Sequence, residues 1–158
     1  MNIRNVGEMT WTTGQIAKWP ELEGFDATIW VPPMQLETWM KNIRGPEREF
    51  YRDKMVELAQ NVKAMPLATE ETHKVDGAPK AYLRYFNAFG SGTWWIYGKD
   101  FPYDANPRGQ QHQAFGHADI FGDGGEMGYI SLVELFSIKP PSAMIELDLY
   151  FEPGKPND

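Results

Sequence analysis

The stretch from residue 127 to residue 151 constrains the chain more than any other, because its apolar pattern changes period twice. Met127-Gly128-Tyr129-Ile130 reads as a strand. Ser131, followed three residues later by Glu134, fits a capping box: the serine hydroxyl accepts from the Glu134 N–H, and the glutamate side chain reaches back to the N–H of Ser131. Pro140 and Pro141 cannot continue that helix, so it is short. Beyond them Ile145, Leu147, Leu149 and Phe151 alternate with Glu146, Asp148, Tyr150 and Glu152. A period of two with one apolar face predicts a half-buried strand, which Pro153-Gly154 ends. On this reading Glu146 and Asp148 stand on a wetted sheet face.

Earlier segments carry clear punctuation. Gly7, Gly14, Pro20 and Gly24 break residues 1–24 into turns and at most a small strand, with Trp11 and Trp19 as plugs on a core. Residues 25–31 are apolar, β-branched and aromatic, and read as a strand ending at Pro32-Pro33. Leu36, Trp39, Met40 and Ile43 then follow helical spacing, with Gly45 placed for a left-handed cap. Pro46 suits the first turn of a second helix, whose buried face is Tyr51, Met55, Leu58, Val62 and Met65 and whose stop is Pro66. Residues 67–80 are polar and form a loop or hinge. Residues 82–89 and 93–97 make a hairpin around Gly90-Ser91-Gly92. A polar connection spans residues 98–113, residues 114–121 form another strand, and Gly122-Asp123-Gly124-Gly125 turns the chain into the terminal unit.

Composition limits what such a chain can do. Its 158 residues suit a single domain, 1–158, able to bury about 70% of its extended surface. Without cysteine it has no disulfide, no thiolate metal site and no cysteine nucleophile. The net charge of -7 argues against a general phosphate-binding surface. The acidity gathers in residues 81–158, which hold five basic and ten acidic side chains. That half suits a basic partner or mimicry of a nucleic acid. No apolar run reaches the roughly 18 residues that span a bilayer, and residues 1–7 lack the features of a signal peptide. The expectation is a soluble, cytoplasmic protein with no membrane contact.

One dense group of proton carriers and metal ligands stands out: His112, His117, Asp119, Asp123 and Glu126. Imidazole and carboxylates together can hold a divalent ion or perform acid–base catalysis, so the alternative reading of function is a metal-dependent hydrolase or nuclease using His112, His117 and Asp119. Their spacing matches no established site, and a calcium loop at residues 119–126 lacks its third-position ligand. The plainer reading puts His117 and Asp119 on a strand's wet face and Asp123 in a turn. A second group, Trp94, Trp95 and Tyr97, with Phe101 and Tyr103 beyond, has the density for base stacking on single-stranded nucleic acid. Only Arg84, Lys99 and Arg108 lie near it, and hairpin packing explains the same aromatics. Gly90-Ser91-Gly92-Thr93 lacks the Lys-Ser/Thr pair of a phosphate loop. No cofactor is expected.

Residues 82–96, Tyr-Leu-Arg-Tyr-Phe-Asn-Ala-Phe-Gly-Ser-Gly-Thr-Trp-Trp-Ile, resemble an F-N-P-x-G-x-x-T-W motif. Residues 126–135 and 145–151 resemble E-L-G-Y-x-S-L-x-E-L and I-E-R-D-L-Y-F. Together they resemble a family of small plasmid-, phage- and mobile-element-encoded proteins catalogued as a domain of unknown function. The likeness covers residues 81–152 and has no counterpart in residues 1–80. Ala88 replaces its proline, Met127 its leucine and Leu147 its basic residue. The resemblance implies a mobile-element setting and supplies no reaction.

These readings converge on an α+β fold: an antiparallel or mixed sheet built mainly from the C-terminal half, with two N-terminal helices packed on it. The expected function is that of a non-enzymatic accessory protein of a phage or mobile element, binding a host or element-encoded protein. Which sheet edges remain unpaired, and hence any self-association, is not legible at this level.

Overall fold

A computed structural model of the chain describes residues 19–68, 79–101 and 113–154. Their order is a 3-10 turn at Pro20–Leu22, α1 at Ala27–Trp30, α2 at Pro33–Asn42 and α3 at Arg48–Ala64. β1 at Leu83–Asn87, β2 at Thr93–Lys99, β3 at Gln113–Asp119 and β4 at Glu126–Ser131 follow, then α4 at Leu132–Ser137 and β5 at Ile145–Leu147. The architecture is α+β: α1 to α3 precede a five-stranded sheet of order β4-β3-β2-β1-β5, and α4 is inserted between β4 and β5. Every strand pair is antiparallel.

Both long helices form where apolar spacing predicts them. Leu36, Trp39 and Met40 of α2 and Met55, Leu58, Ala59 and Val62 of α3 are buried. The Trp39 indole N–H donates to Tyr51 O at 2.9 Å and ties one helix to the next. Gly45 is not among the glycines with positive φ, and α3 opens at Arg48, after Pro46 rather than at it. The link between the helices is therefore an ordinary turn, closed by Gly45 N–H on Asn42 O.

Residues 25–31 are not a strand. They hold the single helical turn α1, because the Asp26 carboxylate caps it, accepting from Thr28 N–H at 3.0 Å and from the Thr28 hydroxyl at 2.6 Å. Composition favoured β structure here, and a local side-chain cap overrode it. Trp30 and Val31 still reach the core, and the Tyr85 hydroxyl of β1 donates to Trp30 O at 2.5 Å.

The terminal strand is also shorter than its alternation predicts. β5 ends at Leu147, because Asp148 turns the chain: its carboxylate accepts from Tyr150 N–H and its carbonyl from Phe151 N–H. An aspartate that bonds two residues ahead builds a turn in place of a ladder. The helix does start at Ser131, whose hydroxyl accepts from Glu134 N–H at 3.1 Å, the serine half of the expected capping box.

The strand register sorts the sheet's side chains into two faces. The main core lies on the helix side, where Leu83, Tyr85, Trp94, Ile96, Ile145 and Leu147 meet residues of α1 to α4. A smaller cluster of Ala81, Tyr97 and Phe115, with Trp95 and Phe151 against it, occupies the opposite side. At Gly116 the strands approach so closely that a Cβ would strike the Trp95 carbonyl. No helix among the described residues is long and apolar enough to cross a membrane.

Candidate functional site

The turn between β3 and β4 gathers most of the residues that sequence reading marked for metal or acid–base chemistry. Asp119, the last residue of β3, accepts from the N–H of Gly122 at 2.7 Å, of Asp123 at 3.2 Å and of Gly124 at 3.3 Å. Asp123 in turn accepts from Gly125 N–H. His117 Nε2 lies 2.5 Å from Gly124 O; a carbonyl can only accept, so this nitrogen carries the proton. Gly125 takes positive φ where a Cβ would meet the Ala118 carbonyl, so no other residue closes the turn in this way. The side chains of His117 and Asp119 are directed to the turn's own backbone. Among the described residues no three His, Asp or Glu side chains gather as a metal-binding group. His112 lies outside the described residues, and Glu126 is exposed at the start of β4.

This turn ends the strand two residues before its predicted limit and lifts Ile120 and Phe121 into solvent. Phe121 is 81% exposed, the most exposed large apolar side chain described. The Ser91 hydroxyl of the β1–β2 turn donates to Ile120 O at 2.9 Å, which joins the two hairpin tips. Phe89, 54% exposed, stands on the first tip, itself fixed by Asn87, whose carboxamide accepts from Phe89 N–H and Met144 N–H. Residues 87–92 and 119–126 contain three carboxylates and no lysine or arginine. The result is a hydrogen-bonded, apolar and acidic projection.

The aromatic group divides between faces. Trp94 is buried in the main core. Trp95 is half-buried on the other face, its ring 5.6 Å from that of His117. Tyr97 is buried against Phe115, and burial pushes its phenol up to about 12. The same desolvation raises the fully buried Tyr85 phenol still further. Phe101 is partly exposed, while Tyr103 lies outside the described residues. The nearby cations have other duties. Arg84 Nη1 lies 2.7 Å from the Asp148 carboxylate. Lys99 is buried, and its ammonium donates to the Val62 carbonyl at 2.7 Å and the Lys63 carbonyl at 3.4 Å, at the end of α3. Arg108 lies outside the described residues.

A groove of about 580 Å3 runs between α2 and β5. Met34, Gln35 and Thr38 of α2 line it, together with Phe136, Ile138, Pro140 and Met144 and residues 145–147 of β5. Tyr150 and Phe50 also line it, their rings 6.0 Å apart, with the Lys54 ammonium 5.6 Å from both ring centres. Glu146 and Asp148, read as wetted sheet positions, are half-buried and line this groove. Gln35 bonds to Leu147 of β5, 112 residues away along the chain, and no periodic pattern marks it. Tyr150 does fall in the alternating segment, on its polar side.

The sequence profile of a family described as "Protein of unknown function (DUF2958)" matches residues 52–157. The match begins inside α3 and so reaches further toward the N-terminus than the motifs at residues 81–152. No curated protein and no solved structure matches the chain. With more than half of its length matched, from α3 through the whole sheet, the chain belongs to the DUF2958 family of proteins of unknown function.

Proposed function

We propose that this protein is a non-enzymatic accessory protein of a phage or other mobile element, and that it works by binding a host or element-encoded protein through its paired hairpin tips. The observation that carries this reading is Phe121, held 81% exposed on a turn whose backbone is fixed by Asp119. Exposed apolar side chains on rigid supports favour association, because no loop has to be ordered on binding. Three carboxylates flank the tips without a cation in either segment. The partner that fits is a protein with an apolar pocket rimmed by Arg or Lys, and an anionic bilayer surface is disfavoured. The residues marked for catalysis serve display here: His117, Asp119 and Asp123 shape the turn.

A photo-crosslinking residue at position 121, expressed in cells carrying the mobile element, tests this. The expected result is one discrete protein adduct, whose purified partner rebinds the wild-type protein. Phe121→Ser should weaken that reconstituted complex by about 2 kcal/mol or more, as truncating an interface anchor does. Asp119→Ala should weaken it too and speed amide exchange at Gly122 to Gly124. A reconstituted complex indifferent to Phe121→Ser, adducts only with lipid, or divalent-ion-dependent hydrolysis of phosphodiesters by the pure protein would each sink the reading.

A further inference from the structure

We infer that the groove beside β5 is a second, separate docking site, and that its occupant is an extended segment of a partner polypeptide which adds to the sheet as a sixth strand. The register supplies the first reason. Ala88 N–H donates to Met144 O, Asp148 N–H donates to Arg84 O, and Phe86 stands opposite Glu146. Met144, Glu146 and Asp148 therefore direct their backbone groups at β1. In an antiparallel ladder the intervening residues point theirs the other way, so Ile145 and Leu147 face outward from the sheet.

At Leu147 one side chain takes both groups. Gln35 Nε2 donates to Leu147 O at 2.8 Å, and Leu147 N–H donates to Gln35 Oε1 at 2.7 Å. A carboxamide offers the same donor and acceptor as a peptide unit, so Gln35 stands where the peptide group of a neighbouring strand would stand. Ile145 has no such partner among the described residues, and it lines the groove. The protein thus carries an internal stand-in for half of a strand and leaves the other half open.

The groove's walls favour the same occupant. Met34, Phe136, Ile138, Pro140 and Met144 are apolar, and about 580 Å3 is a normal size for a ligand site. A purely apolar ligand would cover the Ile145 N–H and C=O without bonding to them, which is unfavourable. An extended peptide supplies a backbone pair to Ile145 and sends alternate side chains into the groove. Gln35 then sets the register, because it stops the added strand from advancing past Leu147.

The test uses a capped random-heptapeptide library selected on the full-length protein, with the best binder measured by fluorescence polarisation. Strand addition predicts that N-methylating alternate peptide residues in one register weakens binding about tenfold or more, while methylating the other register changes it less than about twofold. Met34→Asp, at a wall position already 58% exposed, should cost about tenfold in affinity with Tm unchanged. Equal sensitivity of both registers, a binder indifferent to Met34→Asp, or no enriched peptide would overturn the inference. None of those results bears on the hairpin tips, which the same variant leaves intact.

Discussion

Tyr85 and Tyr97 show what burial does to single groups in this protein. Desolvation raises both phenols, Tyr97 to about 12, against an ordinary value near 10. A raised acid in the folded state means that the unfolded chain releases its protons first as pH rises. Stability should therefore hold up to about pH 10 and fall between about pH 10 and 12, where the unfolded state is deprotonated and the folded state is not. Urea midpoints measured from pH 8 to 11.5 check this, and Tyr97→Phe should flatten the decline. Tyr85→Phe should in addition cost about 1–3 kcal/mol at neutral pH, because Trp30 O loses a buried donor. The burial of Tyr85 follows from its place in a period-two strand, but no sequence rule pairs it with Trp30. Asp119 is the converse case. Its residue type and position drew attention to it, and its carboxylate accepts from three backbone amides of its own turn, contacts that no spacing rule signals.

Elements formed where several local signals agreed and failed where one side chain opposed the pattern. The long helices α2 and α3 have apolar faces, proline borders and buried seams that coincide. The first helical turn and the short β5 were missed for one shared reason: Asp26 and Asp148 each bond the backbone two residues ahead. Averaged over a window, a single aspartate is outvoted by its apolar neighbours, although its bond decides the conformation. Lys99 acts at the same scale. At the end of β2 it looks like a surface cation, yet its ammonium caps the last carbonyls of α3 and joins helix to sheet. Lys99→Met preserves the stem and removes the donor, so it should destabilise the fold by about 1–3 kcal/mol in chemical denaturation. Amide exchange in the last turn of α3 should rise with it. A neutral result would mean that water or a neighbouring group caps those carbonyls as well.

At the scale of the whole molecule, the family match starts at residue 52 but the main core does not. Leu22, Trp30, Val31, Leu36, Trp39, Met40 and Ile43 are all buried in the cluster that covers the sheet. A fragment of residues 52–158 would expose that face, including Tyr85, Ile96 and Leu147. It should show no cooperative thermal transition and should bind a hydrophobic dye, whereas the full chain should unfold in one step. A folded, cooperative fragment would instead make residues 1–51 an addition to an independent family unit. The sheet edges also belong to this scale. Alternation identified residues 145–147 as strand, but only the strand order makes β5 an edge and brings Gln35 against it.

Local pattern was enough for the α+β class, the two amphipathic helices, the central hairpin and the capped start at Ser131, because each rests on contacts within a few residues along the chain. It also marked His112, His117, Asp119, Asp123 and Glu126 as a group, since they lie within fifteen residues of one another along the chain. Folding in three dimensions set what those side chains bond to, which face each tryptophan takes, and where an apolar groove opens beside an edge strand. Those outcomes depend on register and on contacts between residues more than a hundred positions apart, such as Gln35 with Leu147, and local pattern carries no information about such distances.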